Sequence, residues 1–301
     1  MKDPYLLHMF NPTTNVSPFD VNMAYEAEYD GVIPYDGVTL DDIHALTQDT
    51  IFSRGPTGLK RTSIFIGGRS FGLAIDMLNR AKAAMVPPFE ISVFADPSGA
   101  ITTAAAMIAC VEHWVKNKTG DTLKGKSMHI IGGTGPVGVC AGIIAAHCGA
   151  DVYLLSSRGL DVAQEFAEEN NGRFGVKMKG GDGSNNQLLS KMIQSADIVI
   201  GSAKAGFQVL SKAQLAKAEN LIVAADANAV PPLGIEGVEV HDMGKELDFT
   251  PNKAVGIGAL AMGNIKYKVH YRMFQMMKET DKPLYLDHDE AFKVAREYAA
   301  K

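Results

Sequence analysis

Cysteine is scarce in this sequence. It occurs three times in 301 residues, at Cys110, Cys140 and Cys148, without the spacing of a zinc site or of a disulfide framework. Cysteines this few and this scattered are typical of small core residues in a reducing compartment. The sequence therefore excludes a disulfide-rich secreted fold and predicts no metal centre.

Long apolar runs and clusters of basic charge are also absent from the sequence. No stretch is long and apolar enough to cross a bilayer, and residues 1–8 lack the apolar segment of a signal peptide. The formal net charge is −5, so no general attraction draws the chain to nucleic acid or to an anionic membrane. We expect a cytoplasmic protein that binds neither nucleic acid nor a membrane.

Glycine, by contrast, forms the most informative motif of the chain. Gly133, Gly135 and Gly138 have the G-x-G-x-x-G spacing, between a predicted buried strand at 127–132 and a predicted helix at 137–147. Glycines at these places permit a tight turn and a close approach of the backbone to phosphate oxygens. The helix N-terminus adds free amide hydrogens and a positive dipole end. In this strand–turn–helix context the motif predicts a dinucleotide site rather than a merely structural turn.

The end of the next predicted strand, at 151–155, bears on which dinucleotide is bound. Ser156, Ser157 and Arg158 follow it, where an NAD-selective site usually has an Asp or Glu for the ribose hydroxyls. Two hydroxyls and a guanidinium suit the 2′-phosphate of NADP, because arginine offers a planar fork of donors. The alternative is that Arg158 is a solvated loop residue. The segment favours NADP without excluding NAD.

Strand and helix patterns alternate along the whole chain, which indicates an α/β protein with mostly parallel sheets covered by helices. We predict two domains, the second of Rossmann type, with the active-site cleft between them. The first comprises residues 1–118 with a C-terminal helix at about 284–301, and the second comprises 119–283. The remaining predicted strands lie at 5–10, 31–35, 62–66, 89–95, 197–201 and 221–225. The remaining predicted helices lie at 18–28, 39–52, 71–85, 102–116, 264–278 and 287–299, and the glycine-rich segment 180–186 is predicted to be a surface loop.

Three segments have side chains suited to chemistry. The first runs from Asp96 to Thr103 at a strand end, where the threonines would either cap the following helix or line a site. The second follows the strand at 221–225, where Asn228 would either bond a nicotinamide carboxamide or make a turn. The third pairs Lys266 with His270, four residues apart, which from spacing alone is typical of a solvated helix face.

Several short motifs, taken together, carry a resemblance to a known family. They are Ser17–Val21, Ile64–Gly68, Asp96–Gly99, Thr102–Ala106, Gly133–Gly138, Asn228–Ile235 and Lys266-x-Lys268-x-His270. The chain resembles the NAD(P)-dependent methylene-tetrahydromethanopterin dehydrogenases of methylotrophic bacteria over almost its whole length. The resemblance implies a fold related to the methylene-tetrahydrofolate dehydrogenases and a homotrimer with its active site in the interdomain cleft. It also implies oxidation of the methylene group on a reduced pterin to the methenyl cation, with hydride transfer to NADP or NAD, in formaldehyde oxidation.

The resemblance further implies roles for individual residues. Phe19 would pack against the pterin or nicotinamide region, Thr103 would line the substrate side, and Lys266 and His270 would face the reacting centre. The nucleotide would be bound by Gly133, Thr134, Gly135, Pro136, Val137, Gly138, Ser156, Ser157, Arg158, Ala203 and Asn228.

One departure from the family pattern bears on the cofactor. Strictly NADP-dependent members have a lysine after the matching arginine, and this chain has Gly159 instead. The missing cation predicts use of both NADP and NAD. Two alternatives stay open: a methylene-tetrahydrofolate dehydrogenase, because the two pterins share the reacting ring, and a non-catalytic NAD(P)-binding redox sensor.

Overall fold

The computed structural model describes residues 3–300 and divides into two compact units. Unit 1 consists of the residues up to Thr102 together with Tyr267–Val294, and unit 2 of Thr103–Lys266 together with the residues from Ala295. Each unit is built on one β-sheet.

Strands and helices alternate along the described residues. In chain order the strands are β1 (Leu6–Asn11), β2 (Gly31–Asp36), β3 (Thr62–Ile66), β4 (Ser92–Ala95), β5 (Ser127–Ile131), β6 (Asp151–Ser156), β7 (Met178–Asp182), β8 (Ile198–Gly201), β9 (Val223–Asp226), β10 (Met243–Glu246), β11 (Val255–Ile257) and β12 (Tyr285–Leu286). The helices are α1 (Pro18–Glu26), α2 (Asp42–Phe52), α3 (Pro56–Leu59), α4 (Phe71–Ala84), α5 (Ala100–Thr119), α6 (Pro136–His147), α7 (Leu160–Phe174), α8 (Asn186–Ile193), α9 (Lys212–Leu215), α10 (Ala259–Glu279) and α11 (His288–Ala299), with a 3-10 turn at Pro97–Gly99 before α5.

Unit 1 is organised around a five-stranded sheet in the order β12-β4-β3-β1-β2, in which every neighbouring pair is parallel. All five residues of β3 are buried, as expected for a central parallel strand covered on both faces. Helix α4 buries Phe71, Ala74, Ile75 and Leu78, which share one helix face. Its first turn is capped by Ser70, whose Oγ accepts a hydrogen bond from the backbone of Leu73.

Unit 2 has a seven-stranded sheet in the order β10-β11-β9-β8-β5-β6-β7, parallel except for the edge pair β10–β11. Strand β5 lies between β6 and β8, so the chain winds outward from β5 in both directions. In such a sheet ligands bind beyond the carboxyl ends of the strands, at the point where the strand order reverses. The glycine-rich turn begins directly after β5, at that point.

The structure confirms the predicted class, α/β with mostly parallel sheets, and places β3 at the predicted residues 62–66. The predicted helix at 39–52 begins at Asp42, and the backbone N–H and the hydroxyl of Thr39 both donate to the Asp42 carboxylate. A side chain that accepts from the backbone N–H three residues earlier, at the start of a helix, forms one half of a capping box.

The prediction of a surface loop at 180–186 is wrong for its first three residues, which belong to β7. A Cβ on Gly180 would lie 2.3 Å from the backbone nitrogen of Gln164 in α7. Glycine is therefore needed there because α7 packs directly on the strand, and composition alone does not separate such a glycine from a loop glycine. Elements likewise absent from the sequence-based expectation are strands β10, β11 and β12 and helices α3, α7, α8 and α9.

The boundaries of the two units differ from those of the predicted domains. They fall within α5, α10 and α11, whereas the prediction placed boundaries near residues 118 and 283. The polar segment at 117–122 begins in the last turn of α5. The assignment of a substrate domain and a nucleotide domain to the predicted ranges stays a prediction. Among residues 3–300, no helix combines the length and the apolar character needed to cross a membrane.

Candidate functional site

The turn after β5 depends on glycine because the backbone is packed tightly there. Gly132 has a φ of 76°, and a Cβ on it would lie 2.7 Å from the Ala203 backbone. A Cβ on Gly133 would lie 2.7 Å from the Cα of Leu154 in β6, and one on Gly138 would lie 2.6 Å from the Gly132 carbonyl oxygen. Each of these contacts involves backbone atoms, which cannot yield as a flexible side chain would. The glycines therefore bring turn, helix and strand together, as the motif predicted.

Helix α6 starts at this turn with an N-terminus suited to an anion. Gly135 is its N-cap, Pro136 follows, and no side chain caps it within the described chain. The first N–H groups of an α-helix lack partners within the helix, and Pro136 has none to offer. The N–H groups of Val137 and Gly138 are thus the natural donors for a phosphate at this end of the sheet.

The end of β6 places a guanidinium beside the glycine-rich turn. Ser156 is buried, and its Oγ accepts a hydrogen bond from the backbone N–H of Arg158 at 3.1 Å. Ser157 and Arg158 are exposed, and Nη2 of Arg158 lies 3.5 Å from the Thr134 hydroxyl. The structure thus brings the predicted residues Thr134 and Arg158 together, with two further hydroxyls next to them.

The loops after β8 and β9 carry the other two predicted nucleotide residues. Ala203 is half-buried and packs on the Gly132 backbone. Asn228 is buried, and its Oδ1 accepts hydrogen bonds from the backbone N–H groups of Val230 at 2.9 Å and Gly206 at 3.2 Å. Its Nδ2 donates to the Pro232 carbonyl at 2.8 Å. Of the two interpretations of Asn228, the structure therefore shows the turn-making one, and a contact with a nicotinamide stays a prediction.

Asp226, at the end of β9, organises the same loop and was not predicted as a site residue. Its Oδ1 accepts a hydrogen bond from the backbone of Asn228 and its Oδ2 one from the backbone of Ile235. Burial raises the pKa of its carboxyl above the ordinary value, against the lowering effect of the backbone donors. Gly234 is required beside it, since a Cβ there would lie 2.6 Å from Asp226 Oδ1.

In unit 1 the predicted residue His270 is fully buried on α10 between two buried carboxylates. Its Nδ1 lies 3.0 Å from Asp96 Oδ2, and its Nε2 lies 3.9 Å from Asp20 Oδ1. The Phe19 ring meets the imidazole edge to face with centroids 5.5 Å apart, and Phe274 packs on it at 4.9 Å. The solvated face suggested by spacing is therefore wrong for His270. The structure brings the predicted residues Phe19 and His270 into contact.

Asp96 supplies the helix cap that the sequence attributed to threonines. Its Oδ1 accepts hydrogen bonds from the backbone N–H groups of Ile101 at 2.8 Å and Thr102 at 3.1 Å, and its Oδ2 accepts one from the Thr102 hydroxyl at 2.6 Å. Thr102 thus donates to the capping carboxylate and is not itself the N-cap. Helix α5 begins at Ala100, two residues earlier than predicted.

The other two predicted substrate-side residues are half-buried. Thr103 follows Thr102 in the first turn of α5, and Lys266 lies one helical turn before His270 on α10. Asp20 and Asp96 also lie beside His270, and neither was named among the predicted site residues. The available signal was the position of Asp96 at the end of a predicted strand, just before a helix.

A further group of side chains has the chemistry of metal ligands. Asp287, His288 and Asp289 place one ligand atom each within 4.8 Å of one another at the start of α11. These three residues are consecutive, and Asp289 is exposed. The expectation that no metal is bound stays a prediction.

The fold and the glycine-rich turn define a two-sheet α/β protein of the Rossmann-like class. Known structures agree: shikimate 5-dehydrogenase from Listeria monocytogenes has a TM-score of 0.53 and 15% identity, covering 97% of this chain and 96% of that one. Ornithine carbamoyltransferase from Pyrococcus furiosus has a TM-score of 0.52 and 14% identity, covering 93% of this chain and 87% of that one. Likeness at this identity concerns the fold alone, since one fold hosts many activities.

Sequence comparison defines the family. Residues 18–98 match the model of the N-terminal part of methylene-tetrahydromethanopterin dehydrogenase. The chain is 45% identical over 294 residues, 98% of each protein, to the NAD(P)-dependent methylenetetrahydromethanopterin dehydrogenase of Methylorubrum extorquens. It is 33% identical, over 98% of this chain and 99% of the relative, to the Bifunctional protein MdtA of the same organism. This chain belongs to the methylene-tetrahydromethanopterin dehydrogenase family.

Proposed function

We propose that this protein oxidises 5,10-methylene-tetrahydromethanopterin to the methenyl form by transferring a hydride to NADP or NAD. The observation that carries the proposal is the 45% identity, over 98% of both chains, to an NAD(P)-dependent methylenetetrahydromethanopterin dehydrogenase. The glycine-rich turn of unit 2 and the buried His270 of unit 1 are the candidates for the two kinds of site that this reaction requires.

The residues after β5 and β6 fit a dinucleotide. The turn at Gly132–Gly138 leaves no room for a Cβ at its first, second and last positions, and the uncapped start of α6 offers amide donors for the pyrophosphate. Arg158, with Ser156 and Ser157, would hold the 2′-phosphate of NADP. When bound, the nicotinamide accepts the hydride.

The individual contacts to the nucleotide are proposed from these positions. The residues that would line the phosphates belong to the glycine-rich turn and the first turn of α6, and they are Gly133, Thr134, Gly135, Pro136, Val137 and Gly138. Ala203 and Asn228, in the loops after β8 and β9, would lie toward the nicotinamide.

Both NADP and NAD are expected to be used. Arg158 is one exposed cation, and the next residue, Gly159, has a φ of 102° with open space around it. A single exposed guanidinium attracts a 2′-phosphate without repelling the hydroxyl of NAD. Preference for NADP is therefore expected to be moderate.

The substrate side is assigned to Phe19, Thr103, Lys266 and His270. A hydride leaves the methylene carbon between two nitrogens, so no proton transfer is obligatory in that step. The protein must align donor and acceptor and stabilise the methenyl cation electrostatically. A charged lysine beside a forming cation is unfavourable, whereas buried carboxylates such as the two beside His270 favour positive charge near them.

The wider setting of the reaction is proposed from the family. A reduced pterin carrying a methylene group is the product of formaldehyde capture, so the proposed role is in formaldehyde oxidation in methylotrophic one-carbon metabolism. We propose a cytoplasmic location and a homotrimeric assembly, with no nucleic-acid or membrane partner. Sedimentation of the purified protein measures the assembly directly.

The test of the proposed function is absorbance-monitored hydride transfer with each methylene pterin against each nucleotide. Turnover of methylene-tetrahydromethanopterin with NADP, and more weakly with NAD, is the expected result. Turnover of methylene-tetrahydrofolate alone would support the proposed hydride transfer but refute the assignment of methylene-tetrahydromethanopterin as the substrate. Tight nucleotide binding without turnover of either pterin would refute the enzymatic assignment in favour of a nucleotide sensor.

A further inference from the structure

The Asp-Pro-Ser-Gly turn, residues 96–99 between β4 and α5, carries the buried carboxylate of Asp96. Ser98 has a φ of 53° and Gly99 a φ of 68°, so a non-glycine residue adopts the left-handed conformation. Such a conformation persists only where its surroundings enforce it. The Ser98 hydroxyl donates a hydrogen bond to the Gly68 carbonyl at 2.8 Å, which anchors the turn to the end of β3. The turn thereby fixes where Asp96 leaves the sheet.

The Asp96 carboxylate, fully buried, accepts hydrogen bonds on both of its oxygens. The backbone N–H groups of Ile101 and Thr102 donate to Oδ1. The Thr102 hydroxyl and the His270 ring nitrogen Nδ1 lie at Oδ2. Hydrogen bonds of this kind favour the ionised carboxylate, and an ionised Oδ2 can only accept. His270 Nδ1 must therefore carry a hydrogen.

Which ring nitrogen of His270 changes its protonation follows from this arrangement. With Nδ1 occupied by Asp96, the variable nitrogen is Nε2. Asp20 Oδ1 lies 3.9 Å from Nε2, longer than a hydrogen bond but close enough for an ion pair with a protonated ring. Phe65, Phe94 and Phe274 pack on the ring, and the two carboxylates lie on the sides of its two nitrogen atoms.

We infer that Asp96 is a positioning residue for the proposed dehydrogenase reaction. It holds His270 with Nδ1 protonated and Nε2 directed to the side of Asp20, and it fixes the first turn of α5 in the same contact. The inference rests on the proposed function, because a positioning role requires a reaction to position for. Because Asp96 makes both contacts, it sets the orientation of the imidazole and the start of α5 together.

The first experiment measures the ring nitrogens of His270 in the nucleotide-free wild-type protein by nitrogen-15 NMR, with the signal assigned by its loss in H270Q. We expect a protonated Nδ1. Because this measurement needs neither a variant of Asp96 nor turnover, it stands even where D96N fails to fold. An unprotonated Nδ1 would overturn the inference.

The second experiment compares D96N with T102V. The amide introduced by D96N would keep an oxygen for the two backbone donors but present its NH₂ group to His270, so that Nδ1 becomes an acceptor and the proton moves to Nε2. Thr102→Val removes one donor to the carboxylate and leaves the imidazole–carboxylate contact in place. We expect D96N to lose about 100-fold in kcat, the effect of misaligned reacting groups, with an unchanged KM for NADP, and T102V to keep the wild-type tautomer.

The outcomes separate a positioning role from a merely structural one. Equal losses of kcat in D96N and T102V, with the wild-type tautomer in both, would overturn the inference. A tautomer change confined to D96N, together with a selective fall in kcat, supports it. If wild-type protein with a protonated Nδ1 turns over neither methylene pterin, the proposed function fails, while the hold of Asp96 on His270 stands.

Discussion

The guanidinium of Arg158 lies 3.5 Å from the hydroxyl of Thr134, so the end of β6 touches the turn that follows β5. Both side chains reach solvent, and a neutral hydroxyl at this distance is a weak partner for a guanidinium. A phosphate is a stronger one, because charge-assisted hydrogen bonds to arginine are short and often bidentate. The pair marks where the 2′-phosphate of NADP is expected.

Arg158→Ala should reduce the preference for NADP over NAD. We expect kcat/KM for NADP to fall roughly 10- to 100-fold, the effect of losing one charge-assisted bond, and kcat/KM for NAD to change less than about twofold. Steady-state kinetics with both nucleotides measures the ratio. Arg173→Ala, which removes an exposed arginine of α7, is the control and should leave the ratio unchanged. If R158A leaves the ratio of kcat/KM for NADP to kcat/KM for NAD unchanged, Arg158 is a solvated loop residue, as the alternative interpretation holds.

Gly138→Ala should abolish nucleotide binding and weaken the fold. The added methyl would lie 2.6 Å from the Gly132 carbonyl oxygen and 2.8 Å from the Gly133 Cα, so the turn must move. Overpacking of this kind typically destabilises by about 1–3 kcal/mol. Calorimetric titration with NADP and urea unfolding measure the two effects. Gly172→Ala adds the same methyl to open space on α7 and should bind NADP normally, with stability raised by about 0.5–1 kcal/mol.

Lys266→Ala should lower turnover while leaving the nucleotide site intact. If Lys266 faces the reacting centre, losing a contact that aligns the substrate there lowers kcat by about 100-fold, and the Kd for NADP stays within about twofold of wild type. The matched control is Lys268→Ala, an exposed lysine two residues further along α10, which points away from the Lys266 face. Wild-type turnover in K266A would refute the assignment.

Acid should destabilise the protein through His129 of β5. This imidazole is buried, stacks on Tyr153 with centroids 4.7 Å apart, and has its Nε2 2.9 Å from the Ser127 hydroxyl. Burial lowers its pKa to about 4. The unfolded chain, with an ordinary histidine pKa near 6.5, therefore binds more protons than the folded chain between pH 6.5 and 4, and stability falls as pH falls through that window.

The size of this effect at pH 5 is about 2 kcal/mol relative to pH 7. His129→Phe should remove that part of the pH dependence, because phenylalanine keeps the stacking surface and has no titrating nitrogen. Urea unfolding at pH 7 and pH 5 gives the comparison, with His44→Gln on the exposed face of α2 as the control. The same loss of stability in H129F as in wild type would locate the acid sensitivity elsewhere.

The sequence predicted the strands and helices correctly where the local residue pattern matches the burial of that segment in the folded protein. The segment Thr62–Ile66, which ends at Gly67 and Gly68, predicted β3 at its observed bounds, and all five of its residues are buried, as in a central parallel strand. Strand β7 was missed because two of its five residues are glycines. At least one of these glycines is needed because α7 packs directly on the strand, and the local sequence gives no sign of that contact. Strand β12 has two residues, too few for any periodicity.

The site followed less completely, since its contacts join distant parts of the chain. The glycine-rich turn is local and was predicted from its spacing between a predicted strand and a predicted helix. His270 came from family resemblance, against its spacing with Lys266. Its partner Asp96 lies 174 residues away, and Asp20 lies on a different helix again. Such pairs form only when the sheet brings strand ends and helices together.

The Asp226 carboxylate accepts a hydrogen bond from the backbone N–H of Ile235, and this contact holds the two ends of the loop after β9 together. For protein engineering this makes residues 229–231, which are exposed, a graftable segment beside the strand ends of unit 2. Its sequence and length can be varied in a library while β9 keeps its register and Ile235 its place in the core. Asp226, Asn228 and Gly234 are then positions that such a library must hold constant, because Asn228 bonds the backbones of Val230 and Pro232.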